Sequence, residues 1–298
     1  MRKRTLFSIV AFLVSVGYMA HTVDMREMVE AFSTATPGFV VMAFGLALAS
    51  ILVSTLRWYL VLKKVQGTCF RRTLKAVLSG YYMMAFLPPG VGHAAKVKLV
   101  GGDYFRALSA LAFGVVIEVI IVIGISLVVL GASLWGLALL GFLFLLLVYG
   151  RGAYTLLLKA TRSLRALSPG VSRRLESYVE RAYSGWGVAT RDPRTLTAAA
   201  VLSALAVLLQ VWGVMVVGKA FGVSVSFLDA LNAFILSTVF GAVSGIPAGV
   251  GANELGITLA LGPSTRSTII AFMYKFIYQY SWAAVGAVEF YRTLGGKA

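Results

Sequence analysis

The chain has 298 residues, 59% apolar and 13% charged, with a mean hydropathy of +0.87. Soluble domains carry roughly 45–50% apolar residues even with glycine counted, so a polytopic all-α membrane protein is expected. One cysteine, Cys69, excludes an intrachain disulfide; with two histidines, His21 and His93, it makes no metal-ligand cluster, and no Gly-Lys-Ser/Thr phosphate loop is present, so no cofactor is expected.

Arg2, Lys3 and Arg4 precede the uncharged run Thr5–Ala20, which no small-residue cleavage site follows; it reads as a retained first helix. His21–Pro37 is polar and holds Asp24, Glu27 and Glu30. The second span is 38–62, charged only at Arg57, and a basic stretch follows (Lys63, Lys64, Arg71, Arg72, Lys75). The apolar run Ala76–Leu87 stops at Pro88-Pro89-Gly90-Val91-Gly92, after which come Lys96, Lys98 and Arg106. The third span, 107–131, is interrupted by Glu118, and an uncharged fourth covers 132–150. Residues 151–194 form a basic connector with leucines and aromatics at helical spacing, expected as amphipathic helices on the membrane face. The fifth span is 197–221. The run Ala230–Ile246 then ends at Pro247-Ala248-Gly249-Val250-Gly251, and the last span is 266–290. Each span is near the roughly 20 residues that a bilayer core requires.

Both Pro-x-Gly-Val-Gly copies end runs too short or too interrupted for an ordinary span. Proline cannot continue a helix and glycine permits sharp turns. Each copy is read as the tip of a re-entrant hairpin, and backbone of this kind survives at membrane depth only where protein covers it or water fills a cavity. With the N-terminus in the cytoplasm and both hairpins returning to their own side, cytoplasmic segments hold 22 of the 27 lysines and arginines and external segments hold two, Arg26 and Arg266. That asymmetry satisfies the positive-inside rule and places both termini in the cytoplasm of a multi-pass cell-membrane protein. It also accounts for the net charge of +16 as a basic face toward anionic lipid headgroups, with no nucleic-acid partner.

Pro88 and Pro247 are 159 residues apart, and that offset carries span 38–62 onto 197–221 and span 107–131 onto 266–290. The expected architecture is a single membrane domain over 1–298 with about six transmembrane helices and two re-entrant hairpins. Repeat A (38–131, break 88–92) and repeat B (197–290, break 247–251) have inverted topology and are joined by the connector 151–194. Inverted repeats with interrupted helices typify secondary transporters, whose substrates bind near the midplane.

From Arg57 to Tyr291 the sequence resembles the transmembrane region of the lysylphosphatidylglycerol synthases, or multiple peptide resistance factors, shared with stand-alone flippase-like membrane proteins. The resemblance rests on Arg57-Trp58, on Pro88 to Lys96, on Glu118, and most specifically on Pro247-Ala248-Gly249-Val250-Gly251 followed by Glu254. The chain departs from the family pattern at His93 (usually glutamate), Lys96 (usually arginine) and Val119 (often arginine). The resemblance implies a flippase moving aminoacylated phospholipid between leaflets. Aminoacylation belongs to a separate soluble domain that these residues do not include, so enzyme activity is not expected.

Eight residues are candidates for substrate contact. Glu118 is a mid-span charge, which costs at least about 2.5–3.5 kcal/mol and therefore faces a cavity or a partner. Lys275, four residues before Gln279 on one helical face, is its expected cationic partner, in a substrate site or a purely structural pair. His93 and Lys96 follow the first break, where a helix start would favour a phosphate, although an ordinary positive-inside loop has the same composition. Asn253 and Glu254 follow the second break and suit a cationic or hydroxylated headgroup. Arg57 either contacts substrate or extends its charge to the near membrane surface. The tyrosines Tyr81, Tyr82, Tyr274, Tyr278 and Tyr280 read as packing residues. Pro88, Gly90, Gly92, Pro247, Gly249 and Gly251 are the structural breaks. The leading reading is a transporter of an anionic or aminoacylated phospholipid or a polyprenyl-linked lipid, with membrane lipids as partners and a homo-oligomer possible. A small-solute transporter or channel would use the same repeat with a cavity closed to lipid. A lipid-modifying enzyme using Glu118 or Glu254 is the third reading, disfavoured because no paired carboxylate, metal cluster or activated nucleophile stands at recognisable spacing.

Overall fold

A computed structural model describes the chain apart from residues 1–9, 11, 20, 22, 88, 131–133, 149, 164–168 and 296–298. Among the described residues every regular element is helical. After a helical stretch at 12–19 come α1 (Met25–Ser33), α2 (Pro37–Gln66), α3 (Phe70–Phe86), α4 (Pro89–Val100) and α5 (Tyr104–Leu130). Then follow α6 (Leu134–Val148), α7 (Gly150–Ser163), α8 (Pro169–Arg191), α9 (Pro193–Ala220) and α10 (Phe227–Ser244). The chain closes with a 3₁₀ turn (Pro247–Gly249), α11 (Ala252–Ala260), α12 (Thr265–Lys275), a π-turn (Phe276–Tyr280) and α13 (Ser281–Gly295).

Local chemistry sets many of these limits. Proline opens α2, α4, α8 and α9, the position where its missing N–H would lack a helical partner anyway. Asp24, Ser226 and Ser264 cap α1, α10 and α12 by accepting backbone N–H bonds in the first turn. Among the described residues four helices are long and apolar enough to cross a membrane: Pro37–Gln66, Tyr104–Leu127, Pro193–Ala220 and Phe227–Ser244. The last of these contains most of the run that precedes the second break, so by length and composition that arm ranks with the other three.

The expected fourth span contains α6, described over Leu134–Val148, and the connector forms the amphipathic pair α7 and α8. The helices of the two proposed repeats can be set side by side. A long helix of 30 residues, then 17 and 12, then 27 in the first half is followed in the second by helices of 28, 18 and 9 residues, then the α12–π–α13 run. The breaks themselves differ: the first lies between Phe86 and Pro89, whereas the second occupies all of 245–251.

Two compact units divide the chain. The first comprises Met1–Leu52, Lys75–Lys96 and Ala206–Ala298, and so contains both breaks; the second comprises Val53–Leu74 and Val97–Leu205. In the first, α10 and α11 pack as a helical hairpin. A Cβ at Gly256 would lie 2.6 Å from the Leu236 carbonyl carbon, so the two backbones approach as closely as glycine permits. Helix α13 runs along α3, with Gly286 against the Leu78 carbonyl, the Tyr82 and Tyr291 hydroxyls 3.0 Å apart and a Lys75–Glu289 ion pair at 3.5 Å. Glu27 of α1 pairs with Arg266 of α12 at 3.4 Å, and the Asp24 N–H donates to Thr265 Oγ1 at 3.0 Å. In the second unit α5 packs on α8, and α8 on α7.

Candidate functional site

The second break is held by side chains of α11, of the π-turn near the C-terminus and of the N-terminal helical stretch. Ala248 holds φ +55°, ψ −3°, left-handed backbone that costs a non-glycine residue about 1–2 kcal/mol, and Gly249 and Gly251 follow at φ +66° and +84°. Turning the chain this way leaves the Ala248 carbonyl outside any helix. Two side-chain amides bind it: Asn253 Nδ2 and Gln279 Nε2 each donate to Ala248 O at 2.8 Å. Asn253 fits between two glycines, since a Cβ at Gly241 would lie 2.0 Å from its Oδ1 and one at Gly249 2.4 Å from its Nδ2.

Glu254 is fully buried in the first turn of α11. Its Oε2 accepts the Gly251 N–H at 2.8 Å, and its Oε1 accepts the Tyr280 hydroxyl. Lys275 lies within electrostatic reach of the carboxylate. A buried carboxylate is tolerated only when hydrogen-bonded and charge-compensated, and here the helix N-terminus adds to the compensation. Ser15 and Val16 of the N-terminal helical stretch lie 3.3 and 3.6 Å from where a Gly251 Cβ would stand, so that stretch covers the turn.

Lys275 ends α12, and Gln279 and Tyr280 belong to the π-turn that follows. The uniform 3.6-residue period assumed for this helix therefore does not run through residues 275–280. The wider turn presents Gln279 to one end of the break and Tyr280 to the other, and π-turns recur at functional sites. Tyr280 had looked like a packing residue, and no sequence pattern marks it. Tyr278 does pack: its hydroxyl donates to Leu209 O at 2.8 Å, against the Cα of Gly213.

At the first break Pro88 lies outside the described residues, and the backbone of Pro89, Gly90 and Gly92 forms the opening of α4. Gly92 lets α4 approach α3, where a Cβ would stand 2.3 Å from Met84 Cγ. Lys96 lies eight positions into α4, away from the helix start that would have favoured a phosphate, and its stem passes over Gly80, 3.0 Å from a Cβ built there. The shielded Nδ1 of His93 has no hydrogen-bond partner among the described residues.

In the second unit the cation paired with Glu118 is Arg57, not the expected Lys275. Arg57 Nη1 donates to Glu118 Oε2 at 2.6 Å and to Ser203 Oγ at 2.9 Å, which unites α2, α5 and α9. Arg57 is 7% exposed, so protein encloses its side chain. Gly114 gives its guanidinium room, with Nε 3.2 Å from a built Cβ. Ser203 went unnoticed because a lone serine in an apolar span carries no sequence signal. Among the described residues no three histidine, cysteine or carboxylate side chains assemble a metal site.

The sequence comparisons agree with this membrane architecture. The family model for the lysylphosphatidylglycerol synthase transmembrane region matches residues 6–286. The chain belongs to that family. A relative from Methanothermobacter thermautotrophicus, described as a UPF0104 membrane protein, is 25% identical over 283 aligned residues, covering 85% of this chain and 84% of the relative. Membership makes the chain an integral membrane protein with several crossing helices, and the residues on which the resemblance was drawn, from Arg57 through Glu254, fall inside the match.

Proposed function

We propose that the protein is a flippase-like lipid transporter rather than an enzyme, moving an anionic or aminoacylated phospholipid, or a polyprenyl-linked lipid, between leaflets. The observation that carries this reading is the second break: a broken membrane helix whose strained turn is fixed by Asn253 and Gln279 and whose buried Glu254 is held by the Gly251 N–H and the Tyr280 hydroxyl. A re-entrant reading of this break fits a transport path, since backbone polar groups and ionisable side chains at membrane depth mark such paths. The recurrence of the helix order in both halves supports an inverted repeat with re-entrant breaks and both termini in the cytoplasm.

Scrambling of headgroup-labelled lipids in vesicles containing the purified chain tests this. Transfer of phosphatidylglycerol or its lysyl ester between leaflets, lost in Glu254→Gln, is the expected result. Vesicles that move no labelled lipid, or a Glu254→Gln variant that moves it at the wild-type rate, would overturn the reading.

A further inference from the structure

The π-turn at Phe276–Tyr280 holds more than the second break, for three consecutive side chains in it have three separate partners. Tyr278 donates to the Leu209 carbonyl of α9 at 2.8 Å, Gln279 donates to the Ala248 carbonyl at 2.8 Å, and Tyr280 donates to Glu254. The first bond seats the turn on α9. The other two grip the break and the helix that follows it.

Residues 276–280 read Phe-Ile-Tyr-Gln-Tyr, with no glycine or proline to force the backbone out of α-helical geometry. An extra residue in a helical turn persists where side-chain contacts favour it, which is why π-turns collect at functional sites. The bonds of Gln279 and Tyr280 are part of what keeps this turn wide. Once they are released, the turn regains α-helical register when one flank shifts by one residue. Such a shift rotates that flank by about 100° and moves it about 1.5 Å along its axis.

The two flanks are held differently. Ser264 caps α12, Arg266 pairs with Glu27 at 3.4 Å, and Thr265 Oγ1 accepts the Asp24 N–H at 3.0 Å. Helix α12 also packs on α11, and Tyr274 near its end stacks on Tyr278 (ring centroids 4.6 Å, 23°). By contrast α13 has an exposed apolar face at Val285 and Val288. It meets α3 where Gly286 lies against the Leu78 carbonyl, at the Tyr82 and Tyr291 hydroxyls, and at the partly exposed Lys75–Glu289 pair. Exposed pairs hold weakly, so α13 is the flank that turns.

We infer that the π-turn couples the two breaks. While Gln279 and Tyr280 hold the second break, the turn keeps its extra residue. When they release it, the turn closes to α-helical register and α13 rotates against α3, the arm that leads into the first break. Gln279 and Tyr280 are positioning residues in this account, acting through Ala248 and Glu254 and not on the lipid. The inference rests on the transport reading for its purpose, because a transporter with a break in each half needs a packed element with two discrete arrangements to move them together.

Distances measured by electron paramagnetic resonance on the purified chain test this, with spin labels on cysteines placed in a Cys69→Ser background. Phe86→Cys with Val288→Cys spans α3 and α13, and Leu259→Cys with Phe272→Cys spans α11 and α12; all four positions are exposed. Gln279→Leu with Tyr280→Phe removes both bonds and keeps side-chain bulk. It should shift the α3–α13 distance by about 5 Å, the displacement that a turn of about 100° gives a side chain on a helix surface. The α11–α12 distance should stay as in wild type. Two unchanged distances, or two changed ones, would overturn the inference. If the double variant does not purify folded, Gln279→Leu alone should populate the shifted distance as a second component, and a single unshifted component would overturn it equally. Lipid scrambling in vesicles separates this from the transport reading. A shifted distance in a protein whose wild type moves no labelled lipid leaves the coupling standing and removes the flippase reading. An unshifted distance in a chain whose wild type does move lipid removes the coupling alone.

Discussion

Tyr280 donates its hydroxyl hydrogen bond to Glu254, joining a π-turn to the first turn of a helix that begins 28 residues earlier in the chain. Glu254 is fully buried, so a phenylalanine at 280 strands a carboxylate oxygen. Tyr280→Phe is expected to lower stability by about 1–3 kcal/mol, the cost of a buried acceptor left unsatisfied. Glu254→Gln keeps an acceptor for one of the two donors and should be milder. Thermal unfolding of both variants in detergent ranks them, and a Tyr280→Phe protein as stable as wild type would show that the hydroxyl carries no weight.

The pair formed by Arg57 and Glu118 is suited to a double-mutant cycle. Removing one member of a buried ion pair leaves an uncompensated charge, which costs about 3–5 kcal/mol, whereas replacing both with apolar residues of similar volume is often neutral. Glu118→Leu and Arg57→Met should each destabilise strongly, and the double variant should recover most of the loss. Strictly additive effects would mean that the two charges act separately.

At Ala248 two small effects oppose one another. Glycine would relieve about 1–2 kcal/mol of left-handed strain but release roughly 0.5–1 kcal/mol of unfolded-chain entropy. Ala248→Gly should therefore be close to neutral, and Ala248→Val, with a branched Cβ in the same backbone region, distinctly destabilising. Equal stabilities for the two variants in chemical or thermal denaturation would remove the strained turn from the account.

Membrane sidedness has an internal reporter. Cys69 is exposed between α2 and α3, in a basic segment assigned to the cytoplasm. A membrane-impermeant maleimide should label it in inverted vesicles and not in intact cells. In a Cys69→Ser background, Arg173→Cys should behave likewise and Leu228→Cys should label only from outside. Both of those positions are exposed. External labelling of Cys69 would overturn the orientation.

The sequence by itself determined the class of this protein, most of its helix limits and the place of its key break. Apolar composition, prolines at the first position of four helices and cap residues such as Ser226 act through backbone sterics and local hydrogen bonds, which are properties of short segments. Pro247 to Gly251 was legible for the same reason: only glycine and proline mark backbone that leaves the helical region. The partners of the buried charges were decided by the tertiary structure. Lys275 was the expected partner of Glu118, and the choice of Arg57 depends on Gly114 leaving a space and Ser203 supplying a second bond, from residues 61 and 146 positions away. The π-turn at 276–280 likewise has no local signature. One extra residue in a helical turn is stabilised by what its side chains reach, and Gln279 and Tyr280 reach a carbonyl and a carboxylate that only the folded hairpin brings beside them.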